Sequence, residues 1–201
     1  MKLLSSATSP FGRLVKVLLH ETGQYDSVEI ISPATTPLAV DPIVQAANPA
    51  GKIPVLLRPD GPAIYDSRVI CRYLDARAAA GLYPEAHLWE VLTLEATACA
   101  IIEAALLMVY EKRLRPDTQQ SDAWIEAQWS KVTASVATLN SKWMSHLQGQ
   151  FTMGHVAVGV ALGYLDFRHS DRNWRADNTA LALWYAAFSE RPSMQATVPQ
   201  E

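Results

Sequence analysis

Apolar and polar positions along the chain change their period as it proceeds. Residues 2–6, KLLSS, read as a short first strand. Phe11, Leu14, Val15, Leu18 and Leu19 then fall at i, i+3, i+4, i+7 and i+8, one face of a helix. Ser9 suits the N-cap of that helix, Pro10 its first turn and Gly23 its stop. Val28 and Ile30 alternate with polar neighbours in "SVEII", which predicts a second strand. "SPATTPLAVDP" predicts a loop and "PIVQAAN" one or two helical turns. The runs "IPVLL" and "AIY" flank "RPDGP", a hairpin signal. Asp66 and Ser67 open a helix that runs to about Ala80 through Val69, Ile70, Tyr73 and Leu74. The order over residues 1–80 is therefore β-α-β-α-β-β-α.

The pattern shifts at "ARAAAGLYPEA", a linker marked by Gly81 and Pro84. Beyond it only helical periods remain, over 87–112, 121–147, 152–168 and 177–189, with Pro116 as a breaker. All six tryptophans (Trp89, Trp124, Trp129, Trp143, Trp174, Trp184) lie in this half. The chain reads as an α/β domain over 1–80 followed by an all-α domain over 81–201. No internal repeat is visible.

Composition narrows the function classes. Apolar residues make up 49% of the 201 and charged residues 18%, which suits a soluble protein with a substantial core. The net charge of −3 offers no basic surplus to nucleic acid or to an anionic membrane. Cys71 and Cys99 have no Cys-x-x-Cys spacing, so a reducing, cytoplasmic setting is expected. "MKLLSSATSP" turns polar too soon for a signal peptide. The longest unbroken apolar run, "VAVGVALGYL", is too short to cross ~30 Å of hydrocarbon at 1.5 Å per residue, so no membrane partner is expected.

Several common chemistries are absent. There is no Gly-rich phosphate loop, no Gly-x-Ser-x-Gly and no His-Glu-x-x-His. His20, His87, His146, His155 and His169 have no metal-ligand spacing with either cysteine, so no metal is expected. "GVALG" predicts close helix packing at Gly159 and Gly163.

Three features remain. In thiol-redox folds a strand-to-helix corner carries Cys-Pro-x-Cys; in "SPFG" Ser9 and Gly12 hold both cysteine slots, so no disulfide is shuttled there. Ser9 reads either as a plain N-cap or as a donor to an anion at the positive end of a helix. "GKIPVLL" begins a strand with proline, which donates to no ladder. Either this is an edge strand with a trans proline, or the Ile53–Pro54 bond is cis and the Ile53 backbone meets an extended peptide ligand. In "YDSRVICRYL", Asp66 and Ser67 suit capping and equally suit an amino-acid head group.

In this order and spacing, "SPFGRLVKVLL", "NPAGKIPVL" and "YDSRVICRYLD" resemble the N-terminal half of the glutathione transferase superfamily. "FTMGHVAVGVALGYLDFR" is similar to its helical half, so the resemblance spans nearly the whole chain. It implies a thioredoxin-like domain that binds glutathione and an all-helical domain that completes an electrophile pocket. Ser9 would hold the glutathione thiolate, as in serine-type bacterial-like members, with Thr8 as the neighbouring alternative. The Ile53 backbone would pair with the cysteinyl unit beside a cis Pro54. Lys52 would meet the glycyl carboxylate, and Asp66 and Ser67 the γ-glutamyl end. Phe11, Tyr110 and Arg113 are assigned to the electrophile pocket. The implied activity is conjugation of glutathione, as co-substrate, to small or medium apolar electrophiles: a detoxification chemistry in a cytoplasmic homodimer. The alternatives are a non-catalytic binding or regulatory protein on the same fold, and a glutathione-dependent isomerase or dehalogenase.

The chain departs from the family pattern in two places. Asp66 stands where many members carry Glu or Gln, which shortens its reach. His155 stands where the helix after Thr152 usually has an Asp that bonds back to the cap. Thr152 is still expected to cap and Phe151 to staple onto Val156, with the reciprocal carboxylate bond lost and some folding stability with it.

Overall fold

The computed structural model describes residues 1–200. Its elements are β1 (Lys2–Leu4), α1 (Pro10–Glu21), β2 (Glu29–Ile31), α2 (Pro42–Ala47), β3 (Val55–Leu57), α3 (Ser67–Ala78), α4 (Leu88–Leu114), α5 (Asp122–Lys142), α6 (Met144–Leu147), α7 (Met153–Arg168), α8 (Thr179–Ser189) and α9 (Pro192–Gln195). Two compact units result, residues 1–83 with the segment from Pro192, and residues 84–191. The segment from Pro192, which the sequence pattern counts with the helical half, thus packs with the first unit.

The first unit holds a small mixed sheet of order β2-β1-β3, with β1 parallel to β2 and antiparallel to β3. Strands this short are marginal alone, and their stability comes from the helices that cover them. Leu14, Val15, Leu18 and Leu19 of α1 are fully buried, as are Ile70 and Leu74 of α3. Each such side chain contributes roughly 1.5–3 kcal/mol of burial. The expected hairpin shrinks to a single bridge, Leu56 with Ile64, bonded both ways at 3.0 Å. Pro62, two residues before the bridge, has no N–H to extend the pairing, and its carbonyl takes the Arg58 Nε–H at 3.1 Å.

In the second unit α7 is central. Every residue from Met153 to Leu165 is buried, which explains why its sequence is apolar on all sides. At Gly159 an added Cβ would stand 2.3 Å from the Phe188 ring, so α7 and α8 approach closely there. The helix expected over 121–147 breaks at Trp143, which leaves helical geometry at φ −114, ψ 1. By length and composition alone, the helix that includes α4 is long and apolar enough to cross a membrane. Counting unbroken apolar runs misses this, because Thr93, Glu95, Thr97 and Glu103 interrupt it. In the structure 56% of its apolar window is buried inside the protein, with α4 packed along α5 and α7.

The start of α7 corrects one expectation. The reciprocal capping bond is present, with His155 supplying it: its Nδ1 accepts the Thr152 backbone N–H at 3.2 Å and lies 3.0 Å from Thr152 Oγ1. The position requires an acceptor, and a neutral imidazole serves as well as a carboxylate. A backbone N–H only donates, so Nδ1 is unprotonated and the proton resides on Nε2. Burial pushes this histidine below its ordinary 6.5, and Arg191 and His146 push the same way; backbone groups of Leu147 and His146 partly oppose them.

A pH dependence follows. The cap contributes stability fully above pH 6.5 and loses it as pH falls through the depressed folded-state value. Urea unfolding between pH 7.5 and 5 should lose stability with a slope approaching about 1.4 kcal/mol per pH unit per histidine. His169, also lowered by burial, contributes in the same window. The informative quantity is therefore the difference from His155→Asp, whose carboxylate keeps the bond over this range and should flatten the slope. Equal slopes in the two proteins would assign the pH dependence to other groups.

Candidate active site

The sheet of the first unit brings three separated sequence features to one end. Leu4 pairs with Val55, so Pro54 lies beside the point where the chain leaves β1 for the 5–9 corner. Across β3, Leu56 pairs with Ile64. The antiparallel sense of that bridge sends the chain after Ile64 toward the Pro54 end of β3. Ser9, the Lys52–Pro54 segment and Asp66–Ser67 therefore share one end of the sheet.

Ser9 is the extended N-cap of α1, with Pro10 at the first helical position. Its Oγ accepts the Gly12 N–H at 3.1 Å, and its carbonyl accepts the Arg13 N–H at 2.9 Å. Pro10 has no N–H, so Phe11 carries the first-turn N–H with no partner inside the helix. Ser9 Oγ accepts with a lone pair, which leaves its hydroxyl proton as a donor. Gly12 is required by a close approach: an added Cβ would stand 2.0 Å from Oγ of the buried Ser5. The second cysteine slot of a redox corner is thus closed to any side chain. Thr8 and Phe11 are half-buried beside the corner. Lys16 gives its Nζ–H to the Ser6 carbonyl at 3.2 Å, and burial, then Arg13, lowers its pKa.

The Ile53–Pro54 bond is cis. Ile53 packs against the buried cluster of Leu4, Val44 and Val55, and Lys52 is exposed. The approach to this segment is built by Asn48, which is 3% exposed and which the sequence reading did not single out. Its Nδ2–H goes to the Lys52 carbonyl at 2.9 Å and its Oδ1 accepts the Ala50 N–H at 3.0 Å. Gly51 turns the chain at φ +64. An Asn followed by Pro and Gly is a turn signal of this kind, so this residue was legible.

Asp66 caps α3, with Oδ1 accepting the Arg68 N–H at 3.1 Å. Its Oδ2 pairs with Arg68 Nη2, also at 3.1 Å, and both side chains are about half exposed. Ser67, the first residue of α3, is buried. The Tyr65–Asp66 bond is cis as well, and no sequence signal announced it.

Tyr110 and Arg113 lie in the second unit near the end of α4. Arg113 is exposed and Tyr110 half-buried, its phenol pKa raised by burial. Tyr164 of α7 is pushed up to about 12, by burial first, with Tyr110 adding and Arg168 and Arg113 opposing. Among the described residues no cluster of three or more His, Cys, Asp or Glu is arranged to hold a metal.

Comparison with known proteins adds independent findings. Residues 8–77 match the family model for the glutathione S-transferase N-terminal domain, and residues 122–187 that for the C-terminal domain. The uncharacterized GST-like protein YibF of Escherichia coli is 32% identical, over 99% of this chain and 98% of that one. A glutathione transferase family member from Pseudomonas fluorescens Pf-5, solved with bound glutathione, is 40% identical with a TM-score of 0.96, over 100% of this chain and 99% of that one. Solved with bound S-(propanoic acid)-glutathione, the Pf-5 family member gives 39% identity and a TM-score of 0.92 over 100% of both chains.

Proposed function

Because the chain belongs to the glutathione S-transferase family, we propose that it binds glutathione at the sheet end of its first unit and adds the sulfur to small or medium electrophiles with an apolar body. The carrying observation is Ser9: an N-cap whose oxygen accepts from Gly12 and whose hydroxyl proton is left to donate. The bound ligand of the Pf-5 relative, S-(propanoic acid)-glutathione, is a glutathione thioether, the kind of product that such a conjugation leaves.

The mechanism rests on the thiolate. A free thiol has a pKa of about 8.5 and is mostly protonated at pH 7. Lowering it to about 6.5 needs ~2.7 kcal/mol of preference for the anion. A hydroxyl donor to a charged acceptor contributes ~1.5–3 kcal/mol, and the helix end adds ~0.3–1 kcal/mol. Ser9 and the first turn of α1 together suffice, with little margin. The serine stays neutral and donates to the sulfur anion, an electrostatic role. The sulfur electron pair forms the S–C bond, and the displaced electrons leave with a leaving group or are taken up with a proton.

The remaining roles are those that the family resemblance implies for residues toward the sheet end. The Ile53 backbone beside Pro54 pairs with the cysteinyl unit, Lys52 meets the glycyl carboxylate, and Asp66 and Ser67 hold the γ-glutamyl end. Asp66 is also engaged with Arg68, so the amine shares that carboxylate. Phe11, Tyr110 and Arg113 are assigned to the electrophile. We place the protein in the cytoplasm, in a detoxification role; Cys71 and Cys99 are buried and form no disulfide, which suits a reducing compartment.

The partner we propose is a second copy of the chain. Trp89, Thr93, Ala96, Ala100, Glu103 and Leu107 make one exposed stripe along α4, and Trp89 is 76% exposed. A long, mostly apolar stripe of small side chains ending in a tryptophan suits a self-complementary C2 interface.

Ser9→Ala should lower conjugation roughly 10–100-fold, from the loss of ~1.5–3 kcal/mol. An electrophile panel that includes a short unsaturated acid reads this. The same loss in Thr8→Ala, with Ser9→Ala unaffected, would move the role to Thr8; no loss in either removes the serine mechanism.

Asp66→Ala should raise the glutathione KM and leave kcat within a few-fold, because the ligand end it holds is remote from the sulfur. A collapse of kcat at unchanged KM would contradict that role.

Light scattering should give a mass near twice 22.1 kDa, reduced to the monomer by Trp89→Glu. A 22.1 kDa species at high micromolar concentration, with full glutathione binding, would contradict the dimer.

A further inference from the structure

The helix that carries Ser9 is gripped by residues from the far end of the chain. Arg13, in the first turn of α1, gives an Nη2–H to the Met194 carbonyl at 3.0 Å and its Nε–H to Thr197 Oγ1 at 3.3 Å. At the other end of α1, Glu21 Oε1 takes the Ser193 hydroxyl proton. Thr197 Oγ1 in turn donates to the Ser193 carbonyl at 2.8 Å, which closes the segment on itself. Arg13, Ser193, Met194 and Thr197 are all buried, so water does not compete for these bonds. Arg13 and Glu21 stand about 12 Å apart along the helix at 1.5 Å per residue. The segment therefore holds α1 at both ends.

The grip at Arg13 bears on the corner. The backbone N–H of Arg13 closes the first turn on the Ser9 carbonyl, and the residue before it gives its N–H to Ser9 Oγ. Gly12 rests against Ser5, so the first turn sits between Ser5 and the C-terminal segment. A guanidinium fork with two acceptors fixes direction as well as distance. We propose that residues 192–197 are a strap that sets the thiol-binding corner, with Arg13 as its positioning residue. This rests on the reading of Ser9 as the donor to the glutathione sulfur. Arg13 acts through the first turn of α1 and touches no substrate. When the strap is loosened, the turn shifts, the Ser9 hydroxyl is aimed less well at the sulfur, and the thiol regains its proton.

The test uses the full-length protein and glutathione itself. Thr197→Val keeps the side-chain shape and removes the acceptor of Arg13 Nε–H. Ultraviolet titration of bound glutathione, the pH profile of kcat/KM, calorimetric affinity and urea unfolding are measured together. Thr197→Val should raise the thiol pKa by roughly half to one unit and slow conjugation about two- to five-fold at pH 6.5, with a much smaller loss at pH 9. Affinity should stay within about three-fold, because the ends of the ligand are held elsewhere. Thr197→Ser should restore the wild-type profile. If Thr197→Val does not fold, Ser193→Ala releases the Glu21 anchor and is read the same way. A lower unfolding midpoint with an unmoved thiol pKa and pH profile overturns the strap and leaves the Ser9 reading standing. A wild-type protein that binds glutathione without lowering its thiol pKa overturns both.

Discussion

Two short antiparallel pairings, Leu4 with Val55 and Leu56 with Ile64, bring chain segments far apart in sequence to one end of a small sheet. The corner at Ser9, the Ile53–Pro54 bond and the cap at Asp66 lie toward the same end of the sheet because of that register. A shift of one residue in either pairing would turn side chains to the opposite face and separate the three. Pairings this short do not fix register alone. Burial of Leu3, Leu4, Val55 and Leu56 under the helices does, so the apolar core of the first unit determines the geometry of its polar end.

That polar end uses the same groups for folding and for chemistry. Ser9 and Asp66 each cap a helix, and each also stands where an anion or an amine of a peptide-like ligand is met in the proposed function. Capping consumes one side of each group: a lone pair of Ser9 Oγ goes to Gly12, and one oxygen of Asp66 goes to Arg68. The hydroxyl proton of Ser9 is left to donate, and the second oxygen of Asp66 is paired with the half-exposed Arg68 guanidinium. A site built this way needs few residues of its own, and any change at Ser9 affects helix stability and ligand together.

Much of this was legible in the sequence because it is local. The period of α1, its Ser-Pro start and its Gly23 stop are set within a dozen residues. The hairpin was over-read, because "RPDGP" marks a turn but says nothing of how far pairing extends past Pro62. The role of His155 was misjudged because sequence rules name carboxylates at that position, whereas the physics asks only for an acceptor. The helix over 87–112 is read from its period, but its membrane-length apolar span is not, because Thr93, Glu95, Thr97 and Glu103 interrupt every run. Arg13 and Thr197, 184 residues apart, left no sequence signal at all. Their contact depends on where the chain returns after α8, and no local pattern specifies that return.

The central claim is that the Ser9 corner binds glutathione as its thiolate. Calorimetric titration of the protein with glutathione at pH 7, in buffers of different ionisation heat, counts the protons released on binding. A thiol whose pKa falls from about 8.5 to about 6.5 releases most of one proton per bound glutathione at this pH. The account predicts that release in the wild type and its loss in Ser9→Ala. Binding with no proton release in the wild type, or undiminished release in Ser9→Ala, would contradict it.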